Sequence, residues 1–153
     1  MIEIRALETL PVAELRPLAA RSELEGFRFL RRMLGEWETG EARFDGPGEV
    51  LLGAFDGPAL VGIGGLTVDP YGDDPATGRL RHLYVAEPVR NQGVGRGMVR
   101  ALEEAARGRF RALVLRTDTA AAARFYEALG YAPLPPGGTA SHRRELDRGG
   151  DGS

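Results

Sequence analysis

The chain has 153 residues, 42% hydrophobic and 27% charged, with a formal net charge of -2, and fits one globular domain over residues 1–148 with a flexible tail at 149–153. The charge balance speaks against a general nucleic-acid binder, which carries a basic excess. The absence of cysteine excludes disulfides, thiolate metal sites and a cysteine nucleophile.

Residues 2–7 alternate as a strand. Pro11 opens a helix whose one face carries Val12, Leu15, Leu18 and Ala19, and Gly26 ends or bends it. Phe27, Leu30, Leu34 and Trp37 recur at helical spacing and predict a second helix over 27–39. Residues 40–48 read as a loop, with Asp45-Gly46-Pro47-Gly48 as its breaker. Two strands follow, 50–55 and 59–68, joined by Asp56-Gly57-Pro58 as a hairpin. A polar segment, 69–78, predicts an exposed loop before a strand over 79–85.

The run Arg90-Asn91-Gln92-Gly93-Val94-Gly95 comes next, and it opens a helix over 96–107 with Met98, Val99, Leu102, Ala105 and Ala106 as its apolar face. A glycine-rich turn between strand and helix aims several free amides into one space. Together with the positive end of the helix dipole these make a phosphate socket. A dinucleotide fingerprint would need a small residue at position 98, where Met98 stands, so an NAD site is not indicated. Residues 112–115 form a short buried strand. Asp118 or Thr119 caps a helix running to Leu129, and Gly130 closes it. Strands over 131–134 and 141–146 flank a Pro-Pro-Gly-Gly loop. The order predicts an α/β protein with a mixed, mostly antiparallel central sheet of about seven strands and about four helices.

Two segments carry a family resemblance: Arg90-Asn91-Gln92-Gly93-Val94-Gly95 after Leu83-Tyr84-Val85, and Phe125-Tyr126-Glu127-Ala128-Leu129-Gly130-Tyr131, separated by one helix and one strand. In this arrangement the chain resembles the GNAT superfamily of N-acetyltransferases. The resemblance implies an acetyl-CoA-dependent enzyme that moves an acetyl group to a primary amine by direct attack in a ternary complex. It implies that the amides of Asn91, Gln92, Gly93, Val94, Gly95 and Arg96 bind the pyrophosphate, with the Arg90 and Arg96 side chains at the rim. The backbone of Leu83, Tyr84 and Val85 would pair with the pantetheine arm, which enters where this strand splays from residues 112–115. Thr119 would make a further cofactor contact where relatives carry asparagine, and Tyr126 would be the general acid toward the departing thiolate.

The base is not assigned by the resemblance, because the strand ends carry Arg79 and Arg116. His82 has the side chain for that work, although a lone strand histidine is commonly structural. His142 is weaker, and two distant histidines give no metal signal. For a small-molecule or peptide amine acceptor, Glu23, Glu25, Glu36, Trp37, Glu38 and Glu41 offer an acidic region, while Arg79, Arg81 and Arg116 would suit an acceptor bearing a carboxylate; the sequence does not choose. A non-catalytic acyl-CoA sensor and a transferase using another acyl donor are the alternative functions. No apolar run would span a bilayer and residues 1–5 lack a signal-peptide core, so no membrane partner and a cytoplasmic location are expected. Exposed late strands make a homodimer plausible.

Overall fold

A short hairpin organises the middle of the molecule. β2 (Val50–Asp56) and β3 (Ala59–Val68) pair antiparallel from Asp56↔Ala59 to Val50↔Leu66, around a turn in which Gly57 adopts φ +60°. The computed structural model describes residues 1–41 and 43–146. The predicted tail, 149–153, lies outside them.

β1 (Ile2–Ala6) pairs antiparallel with β2, and β4 (Thr77–Val85) with β3. β5 (Ala112–Leu115) is parallel to β4; β7 (His142–Glu145) is antiparallel to β5 and to β6 (Ala132–Pro133). The resulting order is β1-β2-β3-β4-β5-β7-β6, a mostly antiparallel seven-stranded sheet with one parallel pair. Four α-helices flank it, α1 (Val12–Leu24), α2 (Phe29–Thr39), α3 (Val94–Ala106) and α4 (Ala120–Ala128), as the sequence predicts.

The helices divide between the two faces of the sheet. Neighbouring glycines in β3 show this: a Cβ on Gly64 would meet Leu83 and, on α3, Leu102 and Met98, whereas one on Gly65 would strike Phe44 on the α2 side. Glycine there lets side chains from above and below close on a central strand. α1 ends where Gly26 turns left-handed at φ +92°, and α2 ends on left-handed Gly40.

The predicted apolar face of α3 needs one correction. Ala105 is exposed, and Glu103 is fully buried in its place. Positions 99, 102, 103 and 106 follow the helical period, so 103 belongs inside by spacing and only its charge argues otherwise. The burial is compensated: its carboxylate accepts from the Tyr131 hydroxyl at 2.8 Å, from Arg100 at 2.8 Å and from Arg144 at 3.3 Å. The predicted loop over 69–78 is also shorter, because Thr77 and Gly78 are buried as the start of β4, where they pair with Ala112 and Leu113.

Candidate active site

β4 and β5 pair through Thr77↔Ala112, Gly78↔Leu113 and Arg79↔Val114 only. β4 continues to Val85 without a partner on that side, so the sheet splays open between the two strands. A bulge sits at the same level: Gly65 lies opposite Arg81 and Ile63 opposite Tyr84, which leaves one extra residue on β4, and His82 takes φ +61°. The bulge breaks the alternation of the strand, so Arg81 and His82 both face α2. His82 stacks near Phe29 and Phe44, and Arg81 approaches Glu36.

Beyond Val85 the chain makes a single 3-10 turn, Glu87–Val89, and then the glycine loop. Asn91 (φ +68°) and Gly93 (φ +80°) are left-handed, and Gly93 is the N-cap of α3. The first helical bond runs from Gly97 N to Gly93 O at 2.9 Å. Among the described residues, the amides of Asn91, Gln92, Gly93, Val94, Gly95 and Arg96 make no backbone hydrogen bond. Six consecutive free donors at a helix N-terminus have the geometry that an anion cradle requires. A Cβ on Gly95 would meet Phe125 Cζ at 3.3 Å and Val85 Cγ2 at 3.7 Å, so β4, α3 and α4 converge there. Arg96 is exposed at the rim of this cradle.

Three expected cofactor contacts are placed differently. The Arg90 guanidinium turns away from the cradle: its Nε donates to Val85 O at 2.9 Å, another nitrogen binds Glu25, and the group lies 5.3 Å from the Tyr84 ring centre. Glu25, at the end of α1, supplies the carboxylate that holds this half-exposed guanidinium. Tyr84 does not offer its main chain to the gap. Ala86 N donates to Val61 O at 2.8 Å, and alternation along the antiparallel ladder then turns Tyr84 toward Ile63 and Val85 away from β3. Val85 keeps a free amide while its carbonyl is held by Arg90; Leu83 follows the bulge and packs its side chain toward α3. Thr119 caps α4, its hydroxyl accepting from Ala122 N at 3.1 Å, so helix capping accounts for this side chain.

Tyr126 is buried on α4, with ring centroids 5.0 Å from Phe125 and 5.7 Å from Tyr131. Burial alone pushes its phenol above the usual tyrosine value, and its hydroxyl has no hydrogen-bond partner among the described residues. Tyr84 is pushed up to about 12, by burial first and then by its 2.6 Å bond to Glu25. Glu25 is held below its usual range: burial opposes this, and the bonds from Tyr84 and Arg90 outweigh it.

A base role for His82, one possibility the sequence offers, is not supported by its surroundings. Its side chain is 5% exposed, neither ring nitrogen has a partner, and burial, then Arg81 and Arg32, push its pKa down to about 3. It is neutral and poorly basic. His142 is a structural residue, with Nε2 2.9 Å from Glu127 and Nδ1 2.9 Å from Ser141 Oγ. The acidic region also disperses. Glu23 pairs with Arg31 at 2.7 Å, Glu25 with Tyr84 and Arg90, and Glu38 and Glu41 are solvated. Among the described residues no cluster of three potential metal ligands occurs, and no helix is long and apolar enough to cross a membrane.

Residues 13–131 match the family described as Acetyltransferase (GNAT) family. Among solved structures, a protein from Exiguobacterium sp. 255-15 that carries an acetyltransferase assignment is 26% identical, with a TM-score of 0.84 over 95% of this chain and 93% of that one. A GNAT-family acetyltransferase from Staphylococcus aureus Mu50 is 18% identical, with a TM-score of 0.72 over 95% of this chain and 100% of its own. The yncA protein of Salmonella typhimurium, solved with acetyl-CoA, is 16% identical, with a TM-score of 0.68 over 95% and 94% of the two chains. Among curated protein sequences no relative matches.

Proposed function

Because the chain belongs to the GNAT acetyltransferase family, we propose that it transfers the acetyl group of acetyl-CoA to the primary amine of a small molecule or peptide, by direct attack in a ternary complex. The observation that carries this reading is the pairing of six free amides, Asn91 to Arg96, with the open gap between β4 and β5. The cradle suits a diphosphate bound by main-chain nitrogen, and the gap suits an extended arm whose amides need a strand edge.

In the proposed step the lone pair of the neutral amine forms the new C–N bond, the C–S bond breaks, coenzyme A leaves as a thiolate, and the proton shed by the nitrogen passes to solvent. Tyr126 faces this departure as a neutral phenol. A cysteine-like thiol has a pKa of about 8.5. Tyr126 lies well above that, so full proton transfer from the phenol is uphill. It acts by donating a hydrogen bond to the sulfur as negative charge develops.

The test is release of free thiol from acetyl-CoA across a panel of amines, with propionyl and succinyl donors compared. Amine-dependent release supports the reading. Strong thermal stabilisation by acetyl-CoA with no turnover on amines, peptides or protein N-termini would favour an acyl-CoA sensor instead.

A further inference from the structure

The three arginines that could meet an acceptor carboxylate have different surroundings. Arg79 is committed: it donates to Thr139 O at 2.8 Å and to Asp69 at 3.3 Å, under the Tyr71 ring. Arg116 holds Gly138 O at 3.1 Å and pairs with Asp118 at 3.4 Å. Arg81 makes no hydrogen bond among the described residues, although its side chain is only 21% exposed. Glu36 lies 4.0 Å away, at ion-pair range but beyond hydrogen-bond distance.

Arg81 lines a cavity of about 250 Å³ under the loop that follows α2, together with Phe44 and Thr67. Thr67 stands on β3 two residues from Gly65, the partner of Arg81, so the two side chains share a face. Thr67 is 6% exposed and its hydroxyl has no partner. A half-buried guanidinium that makes no hydrogen bond and only a long ion pair to Glu36, beside a buried hydroxyl without a partner, leaves donors that a ligand would complete. Arg43 also borders the cavity, stacked 4.9 Å from Trp37, and the carboxylates Glu41, Asp45 and Glu49 line it too, Glu41 and Asp45 exposed and Glu49 accepting from Gly46 N at 3.1 Å.

We infer that this cavity binds the carboxylate of an amino-acid-like acceptor, with Arg81 as a two-pronged donor and Thr67 as a third, an inference that rests on the amine-acetyltransferase reading above. A planar carboxylate matches the guanidinium fork.

The experiment compares free amino acids with their carboxamides as acceptors, by thiol release and by thermal shift. The free acids are expected to be favoured in kcat/KM by about tenfold or more. Arg81→Gln should erase that preference through KM, Thr67→Val should weaken it, and Arg81→Lys should restore part of it. Equal use of acid and amide by the unaltered protein, or a preference that survives Arg81→Gln, overturns the inference. Acetyl-CoA titration of each variant confirms that it is folded and keeps its donor site, while amine-dependent thiol release by the unaltered protein tests the amine-acetyltransferase reading separately. If no amine turns over, stabilisation by the acids but not the amides, lost in Arg81→Gln, supports the carboxylate site; no difference between them overturns it.

Discussion

Tyr126 has a hydroxyl with no partner in the fold, so its removal should be nearly free for stability and costly for chemistry. Tyr126→Phe is expected to lower kcat by about 10²-fold while leaving the melting temperature within a degree or two. Initial rates and a melting curve on one preparation check both; an unchanged kcat at every pH removes the assigned role. His82 is the opposite case, a residue whose protonation state matters to stability. Its folded pKa of about 3 lies below the ordinary 6.5, so the unfolded chain binds a proton that the fold refuses. Stability from its neutral form is complete above pH 6.5 and falls as pH drops toward 3, by at most about 1.4 kcal/mol per pH unit. Between pH 6.5 and 5 the carboxylates held low, such as Glu25, contribute little, which isolates the histidine. His82→Asn, a residue that tolerates positive φ, should flatten stability across that window in urea titrations. An equally steep acid limb in the variant would show that another group carries it. At this scale Tyr126 could be singled out because its motif is local. The choice of Arg81 over Arg79 and Arg116 could not be made, since it depends on which arginines find partners from distant loops.

The glycine loop is the element where sequence and site coincide most closely. Its amides are free because Asn91 and Gly93 turn left-handed before α3 begins, and that requirement is written in the residue types themselves. Gly95 differs from Gly93: its backbone is ordinary, and what it provides is space. Gly95→Ala brings a methyl to 3.3 Å from the Phe125 ring, a contact relieved by a shift of a few tenths of an ångström. The fold should therefore survive while the cradle narrows. Acetyl-CoA affinity is expected to fall about tenfold, with circular dichroism unchanged and a loss in melting temperature of a few degrees at most. Unaltered affinity by calorimetry would place the diphosphate elsewhere. Other elements were legible in type and less so in their ends. β4 begins two residues earlier than its pattern suggests, because Thr77 and Gly78 are held by parallel pairing with β5, which leaves no local trace. Buried Glu103 was hidden by its charge, because its partners Tyr131 and Arg144 lie far along the chain.

Across the whole molecule, the splay divides the sheet into β1–β4, covered by α1 and α2 on one face, and β5-β7-β6, with three residue pairs joining the two along the strands. The bulge, the free Val85 amide and the cradle all lie on the open side of that junction. The order of elements was readable from hydrophobic period and turn residues, but the gap was anticipated only through the family resemblance, because nothing local marks where pairing stops. A donor whose arm lies along β4 while its diphosphate sits on α3 would tie the two parts together. Acetyl-CoA at a hundredfold over its Kd should then add about 2.7 kcal/mol of stability. Its footprint is the sharper prediction. Hydrogen exchange should slow at Asn91 to Arg96 and at the Val85 amide with acetyl-CoA, and only at the loop with ADP, which has the diphosphate but no arm. Both ligands should leave the β1–β2 ladder unchanged, because that ladder is closed already. Protection of the loop by both ligands with none at Val85 would mean that the cradle binds phosphate while the gap does not take the arm, and the proposed placement of the thioester near Tyr126 would fail with it.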